Sequence, residues 1–309
     1  MKIRNNNSIP HYSPLKTELM TRINKTNRRD FLRQSAVAMA LTIPVLNTKI
    51  VSAKPPKVVG LQLYTLRNLI SKNPDEVLKK VAGIGYKEVE TFGYSSGKYF
   101  GKTPKEFRNL LSGLGLTTPS GHYMPNNLKD NWESIVADAA ELGQKYMACA
   151  YLFPNDRKTL DDWKKIAELF NKAGEVTKKS GIQFVYHNHD FEFQPIEGQL
   201  LYDLLLKETD PDLVKMELDL YWAYYAGKDP VDMFSKNPGR FPLMHFKDMA
   251  KTEKREFAEV GTGSIDFQKI LKAGKVAGLK HFYVEQDECK IPPLEAIAIS
   301  YRNVQKLRV

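Results

Sequence analysis

From residue 57 onward, hydrophobic and polar positions repeat one pattern about eight times: a short apolar run, a polar loop and an amphipathic segment with helical period. The apolar runs are rich in Val, Ile, Leu, Phe and Tyr, which is typical of buried parallel strands. Strands are predicted at Val58–Tyr64, Lys87–Phe92, Leu116–His122, Tyr146–Ala150, Ile182–His187, Val214–Asp219, Leu243–Phe246 and His281–Glu285. Helices are predicted at Pro74–Ala82, Pro104–Ser112, Trp132–Leu142, Leu160–Lys179 and Asp266–Ala277.

This alternation of strand and helix predicts parallel βαβ units. Eight such units in about 250 residues favour a single-domain α/β (β/α)8 TIM barrel, which we place at residues 54–309. An open doubly wound sheet is the competing architecture. It usually has a glycine-rich phosphate loop after its first strand, whereas here that strand ends in Tyr64-Thr65-Leu66-Arg67.

The first 53 residues differ from the rest and predict a signal peptide. They hold nine Lys and Arg against only Glu18 and Asp30, which is most of the formal net charge of +10. The arginine pair Arg28-Arg29 precedes Phe31-Leu32 and the weakly apolar run from Ser35 to Leu46, and Val51-Ser52-Ala53 offers small residues for cleavage. This order is typical of a twin-arginine (Tat) signal, so we expect the Tat export machinery to carry the precursor to the periplasm.

The charges of the remaining chain are interspersed, so we expect no nucleic-acid partner. No later apolar run is long enough to span a bilayer, so we expect no membrane association of the mature form. The oligomeric state, a homo-oligomer included, stays open.

Ionisable residues collect at the carboxyl ends of the predicted strands, where TIM barrels carry their active sites. Four of the five histidines after the leader lie there, and the fifth, His281, begins the last strand instead. This clustering predicts a metal or acid–base site. Its candidate members are Arg67, Glu90, His122, His187, His189, Glu192, Asp219, Trp222, His245, Lys247, Asp248 and Glu285.

Asp219, His245 and Glu285 end three successive strands and are predicted to bind one divalent metal ion. The preceding strand offers His187 as the fourth ligand, with His189 and Glu192 also in range. Mixed carboxylate and imidazole ligands suit Mn²⁺, Co²⁺ or Zn²⁺ better than Mg²⁺.

Several motifs give the chain, from about Lys57 to Arg302, a resemblance to the xylose isomerase-like, or sugar phosphate isomerase/epimerase, TIM-barrel superfamily. The motifs are Gly60–Arg67, Gly85–Glu90, Ser120–Tyr123, Tyr186–Phe193, Glu217–Asp219, His245–Asp248, Val260–Asp266 and Val284–Glu285. The resemblance implies a divalent metal held by Glu, Asp, His and Glu from strands five to eight. Asp219, His245 and Glu285 match the last three, whereas the His187-Asn188-His189 stretch replaces the first glutamate. This departure argues against a symmetric mechanism with two glutamates.

The favoured reaction is isomerisation or epimerisation of a non-phosphorylated sugar or keto-sugar, by proton abstraction next to a metal-bound carbonyl. Glu285 is the first candidate base, with His122, His189 and Glu192 as second acid–base candidates. Arg67, Glu90, Lys247, Asp248 and Trp222 are candidate substrate-binding residues. The alternatives are a lyase or dehydratase that uses β-elimination on a keto-sugar or 3-keto-glycoside, and a non-catalytic sugar-binding barrel. A DNA-repair endonuclease would need a basic groove, and none is evident.

Overall fold

The computed structural model describes residue 56 and residues 58–308. Eight parallel strands form one closed barrel in which each strand pairs with the next along the chain and the last pairs with the first. This confirms the (β/α)8 prediction and rejects the open sheet. The strands are β1 (Gly60–Gln62), β2 (Glu88–Thr91), β3 (Thr117–Tyr123), β4 (Tyr146–Cys149), β5 (Gln183–His187), β6 (Val214–Asp219), β7 (Leu243–Phe246) and β8 (His281–Val284).

An outer ring of helices follows these strands, and the five predicted helices begin within one residue of their observed starts. Thr103 and Thr159 each cap a helix through a reciprocal pair of hydrogen bonds with the acidic residue three positions later. The ring consists of α1 (Pro74–Ile84), α2 (Pro104–Gly113), α3 (Trp132–Leu142), α4 (Leu160–Lys179), α5 (Leu201–Glu208), α6 (Pro230–Lys236), α7 (Phe267–Ala277) and α8 (Pro293–Val304). No helix within the described ranges is long and apolar enough to cross a membrane.

Short elements in the loops after the strands were not predicted. Beyond β1 the chain turns at once into a 3-10 helix, Leu63–Leu66, so β1 is shorter than predicted. The segments Arg67–Ile70, Pro125–Lys129 and Leu220–Tyr225 are helical. The predicted signal peptide, with its arginine pair and cleavage site, lies outside the described residues and stays a prediction.

The barrel interior is layered, because alternate residues of a strand point to opposite faces. On β6, Met216 and Leu218 pack outward in the apolar layer beneath the helices, which places Glu217 and Asp219 on the inner face. A small apolar cluster fills the interior nearer the amino ends of the strands: Ala148, Val185, Leu243 and Tyr283. The ionisable side chains lie above it, one or two residues further along their strands.

Candidate active site

A cavity of about 550 Å³ opens at the carboxyl ends of the strands. Six of the predicted site residues line it: Arg67, His122, His187, His189, Lys247 and Glu285. Glu90, Asp219 and His245 are fully buried. The remaining wall consists of Tyr64, Phe92, Gly93, Tyr94, Met124, Asn127, Ala150, Tyr151, Asp287 and Glu288.

The four predicted metal ligands converge, with one ligand atom of each within 4.8 Å of the others. His187 Nε2 lies 3.3 Å from Asp219 Oδ2, and His245 Nδ1 lies 2.8 Å from Glu285 Oε2. Metal–ligand bonds near 2.1 Å place neighbouring ligand atoms roughly 3 to 3.5 Å apart, so this spacing suits one cation. Two imidazoles and two carboxylates, all buried, also form a donor set that divalent transition metals favour. The group therefore fits a divalent cation.

Both imidazoles of this group are oriented by their second nitrogen. His187 Nδ1 donates to the carbonyl oxygen of Ala150 at 3.1 Å, which leaves Nε2 as the ligand atom. His245 Nε2 lies 2.7 Å from Glu90 Oε2, which leaves Nδ1 facing Glu285. Metal-binding histidines usually have such a partner, because it fixes the tautomer and the ring orientation. Glu90, a candidate for binding substrate, is instead the partner of a metal-ligand candidate.

Lys247 forms ion pairs with three carboxylates of the site. Its Nζ lies 2.9 Å from each of Asp219 Oδ2, Glu285 Oε2 and Asp287 Oδ1. Burial opposes the ammonium charge, but the three carboxylates raise the pKa of Lys247 well above its usual value. Burial likewise opposes ionisation of Glu285, yet Lys247 and His245 hold the pKa of Glu285 well below its usual range. Glu285 is therefore ionised at neutral pH, as a base must be.

A second group of four residues lies deeper in the barrel and was only partly predicted. This inner cluster consists of Glu90, His122, Glu217 and His245, and Glu217 was not among the predicted site residues. Glu217 Oε2 lies 2.8 Å from His122 Nε2. Glu217 precedes Asp219 by two residues on β6 and so shares its face, and that period-two relation is the sequence signal that could have found it.

His189 and Glu192 form a separate pair beside the cavity. Glu192 accepts the backbone N–H of His189 at 2.9 Å, and its other oxygen contacts the hydroxyl of Tyr186. Glu192 is fully buried and does not line the cavity; its carboxyl anchors the His189 loop, and its acid–base role stays a prediction. Burial, with His187 and Lys247 nearby, lowers the pKa of His189 to about 2, so its imidazole is neutral.

The Glu192 carboxyl should make stability depend on pH. Burial raises its pKa from 4.5 to about 8 in the folded chain. Between these values the folded protein holds a proton that the unfolded chain has lost, so stability falls as pH rises, by at most about 1.4 kcal/mol per pH unit. We compare the free energy of unfolding of the wild type with that of Glu192→Gln. The difference between the two should fall by about 2–4 kcal/mol between pH 5 and 8. A difference that stays constant with pH in urea titrations would contradict this.

Asp248 also has a role other than the predicted one. Its Oδ2 accepts the backbone N–H groups of Gly261 and Gly263, each at 2.9 Å, and its Oδ1 accepts those of Met249 and Ile265. A Cβ at Gly263 would lie 2.3 Å from Asp248 Oδ1, so only glycine fits there. Both oxygens are thus engaged with backbone, and Asp248 anchors this loop instead of binding substrate.

The last two predicted substrate-binding residues differ in position. Arg67 lines the cavity, donates to the carbonyl oxygen of Tyr64 at 3.1 Å and stacks on the Tyr64 ring. Trp222 does not line the cavity; its ring packs 5.7 Å from the ring of His189. Arg67 can therefore reach a ligand directly, whereas Trp222 supports the wall from behind.

Fold and site together define a TIM-barrel enzyme with ionisable residues converging at the carboxyl ends of its strands. Comparison with known proteins gives its family. The model of the xylose isomerase-like TIM barrel matches residues 78–287, which is more than half of the chain. The chain therefore belongs to this family.

Individual relatives agree with this assignment. A sugar phosphate isomerase/epimerase from Parabacteroides distasonis is 31% identical, with a TM-score of 0.70, and the match covers 81% of this chain and 93% of that one. The inosose dehydratase of Clostridium perfringens is 26% identical over 71% of this chain and 77% of its own length. That of Lacticaseibacillus casei is 28% identical over 44% of this chain, and the chain spans about half (52%) of it.

Proposed function

We propose that the protein is a lyase or dehydratase for a keto-sugar or 3-keto-glycoside. It removes the proton from the carbon next to the carbonyl and expels an oxygen substituent from the following carbon. The sequence favoured isomerisation or epimerisation, with elimination as the alternative. We now prefer elimination to isomerisation because the acid–base groups are distributed unequally around the cavity.

Among the residues that the structure describes, carboxylates line only one side of the cavity. Glu285, Asp287 and Glu288 follow β8, whereas the groups from β3 and β5, on the opposite side of the barrel, are His122, His187 and His189. Epimerisation by two opposed glutamates requires a carboxylate on both sides of the substrate. A carboxylate on one side and the His122 imidazole on the other instead suit removal of a proton by one group and donation of a proton by another.

Residues His187, Asp219, His245 and Glu285 would hold the divalent cation, with Mn²⁺, Co²⁺ or Zn²⁺ suiting this mixed ligand set better than Mg²⁺. When bound there, the cation supplies Lewis-acid stabilisation of the negative charge that develops on the substrate carbonyl oxygen.

Glu285 removes the proton in this proposal. Lys247 keeps the Glu285 carboxylate ionised and directs it, because Nζ contacts Glu285 Oε2 and also the neighbouring Asp219 and Asp287. The electron pair of the broken C–H bond forms a C=C bond, and the C–O bond of the leaving group breaks. The leaving oxygen takes a proton, so the products are an unsaturated ketone and an alcohol or water.

One side of the cavity is an aromatic wall that offers a contact surface for a substrate larger than one sugar ring. It consists of four aromatic side chains, Tyr64, Phe92, Tyr94 and Tyr151, together with Met124, and these residues follow β1 to β4. Tyr64 and Met124 are 40% and 38% exposed, although large apolar side chains are stabilised by being covered. A second ring or an apolar aglycone would cover them, which supports a glycoside as substrate.

The charges in the cavity favour a substrate without phosphate. Arg67 and Lys247 are the only Lys or Arg side chains lining the cavity in the described part of the chain, and three carboxylates already surround Lys247. The name of the Parabacteroides relative supports isomerisation or epimerisation as the second candidate, and the names of the inosose dehydratases support elimination.

The reaction type can be read directly by NMR. Metal-loaded protein is incubated in D₂O with 3-keto-glucosides and with free and phosphorylated sugars. We expect the 3-keto-glucosides to release their aglycone and to gain deuterium at carbon 2 in unreacted substrate. Deuterium incorporation with a changed configuration and no released aglycone would instead establish an epimerase. Binding without exchange or release would establish a sugar-binding barrel.

A further inference from the structure

Asp287 was not among the predicted site residues, but it is the most exposed of the four charged side chains that meet at Lys247. Its side chain is 25% exposed and lines the cavity, whereas those of Lys247, Asp219 and Glu285 are at most 4% exposed. Asp219 and Glu285 are candidate ligands of the cation, and Asp287 belongs to neither group of ligand candidates. Asp287 therefore reaches the cavity without an assigned role there.

Lys247 holds one oxygen of Asp287 and leaves the other for a ligand. Its Nζ donates a hydrogen bond to Asp287 Oδ1 at 2.9 Å, and the Asp287 side chain makes no other hydrogen bond with residues 58–308. An ammonium group has three hydrogens, and Nζ also lies 2.9 Å from Asp219 Oδ2 and from Glu285 Oε2. Lys247 thus directs its charge at carboxylates. The acceptor that remains for a ligand is Asp287 Oδ2, on a carboxyl that a buried partner orients.

The position of this oxygen indicates which part of a substrate it would contact. Glu285 Oε2 and Asp287 Oδ1 both contact Nζ of Lys247, so the proposed base and Asp287 lie side by side after β8. A sugar ring with its reacting carbon at Glu285 therefore brings a hydroxyl of the same ring to Asp287. As the partner of an ammonium, the Asp287 carboxyl accepts hydrogen bonds, and a sugar hydroxyl is able to donate one.

We propose that Asp287 determines specificity by accepting a hydrogen bond from one hydroxyl of the reacting sugar ring, and that Lys247 is the residue that positions Asp287. The inference rests on the proposed function, which places a keto-sugar ring at Glu285. Asp287 Oδ2 accepts the hydroxyl hydrogen while Oδ1 stays on Nζ of Lys247. The site consequently selects sugars that carry a hydrogen-bond donor at this one position and discriminates against those that lack it.

The test uses methyl 3-keto-glucoside and three analogues in which fluorine replaces the hydroxyl at carbon 2, 4 or 6. Fluorine is similar in size to a hydroxyl but donates no hydrogen bond. The discrimination factor is kcat/KM for the parent sugar divided by kcat/KM for an analogue, measured with the metal-loaded full-length protein. At one carbon we expect this factor to be about 10- to 100-fold larger in the wild type than in Asp287→Asn. Comparing each analogue in both proteins cancels the effect of fluorine on the reactivity of the sugar.

Asp229→Asn is the matched control. Asp229 accepts a hydrogen bond from Lys269 Nζ at 2.9 Å, the same kind of pair, but does not line the cavity. We expect this variant to discriminate among the four sugars as the wild type does. Asp287→Asn itself should bind as much cation as the wild type and should raise KM for the parent sugar about 10-fold, with kcat changed less than about threefold. If Asp287→Asn fails to fold, Asp287→Ala provides the same comparison.

Each other outcome has a definite meaning. Equal discrimination factors in the wild type and in Asp287→Asn at all three carbons would overturn the inference, because Asp287 would then serve only as a partner of Lys247. Loss of the cation from Asp287→Asn would also overturn it. If the wild type releases no methanol, the proposed elimination fails. The inference is then read from dissociation constants of the four sugars, measured by calorimetry in both proteins, and it fails if these show no difference at any carbon.

Discussion

Replacing Glu285 with glutamine should lower kcat about 10³-fold on a 3-keto-glycoside and should abolish deuterium exchange at carbon 2. The amide keeps the size of the side chain but cannot accept the proton. It also removes the negative charge that contacts Lys247 Nζ and faces His245 Nδ1, each at 2.8–2.9 Å. Rapid-quench kinetics with NMR detection of exchange would measure both effects.

Comparing a methyl with a 4-nitrophenyl 3-keto-glucoside separates proton removal from departure of the leaving group, and the metal content of the variant shows whether the cation is still bound. Because proton removal precedes departure of either leaving group, Glu285→Gln should impair both substrates equally. The control is Glu88→Gln, whose carboxyl contacts His281 Nδ1 at 2.8 Å near the amino ends of the strands, away from the cavity. Unimpaired exchange in Glu285→Gln would assign the base to another group lining the cavity.

Removing the metal should reduce turnover to background. A chelator is expected to inactivate the protein, and Mn²⁺, Co²⁺ or Zn²⁺ should restore activity better than Mg²⁺, because two of the four ligands are imidazoles. His187→Ala removes one of them and should weaken metal affinity at least about 10-fold. Activity titrated against free metal concentration measures this shift.

His281→Ala is the control for His187→Ala. His281 is partly buried at the start of β8 and contacts Glu88. The variant therefore loses one partly buried imidazole, as His187→Ala does, but at a place away from the cavity. We expect its activity and its metal affinity to equal those of the wild type. Full activity of chelated wild-type protein would exclude a metal-dependent step.

The periodic features of the chain were predictable from the sequence, and so was the barrel. β6 and β7 have the predicted bounds, and the remaining barrel strands differ mainly at their ends, where apolar residues continue into a turn such as Leu63–Leu66. The position of a residue at a strand end correctly predicted that His187, Asp219, His245 and Glu285 converge. This part of the site follows from barrel geometry alone, since carboxyl ends of parallel strands meet at one face.

The roles of individual carboxyls depend on contacts that the sequence does not reveal. Asp248 and Glu192 lie at strand ends as predicted, but backbone N–H groups and the Tyr186 hydroxyl take their oxygens. Glu217 was missed because it lies two residues before the end of its strand, in a part of the barrel interior where apolar residues are expected. Its partner His122 comes from the far side of the barrel, 95 positions away in sequence.

The most direct measurement of the central claim is anomalous diffraction from crystals of the protein loaded with Co²⁺ or Zn²⁺. The account predicts one strong peak per chain, within bonding distance of His187 Nε2, Asp219 Oδ2, His245 Nδ1 and Glu285 Oε2. A peak elsewhere, or no peak at a metal concentration that saturates activity, would contradict it.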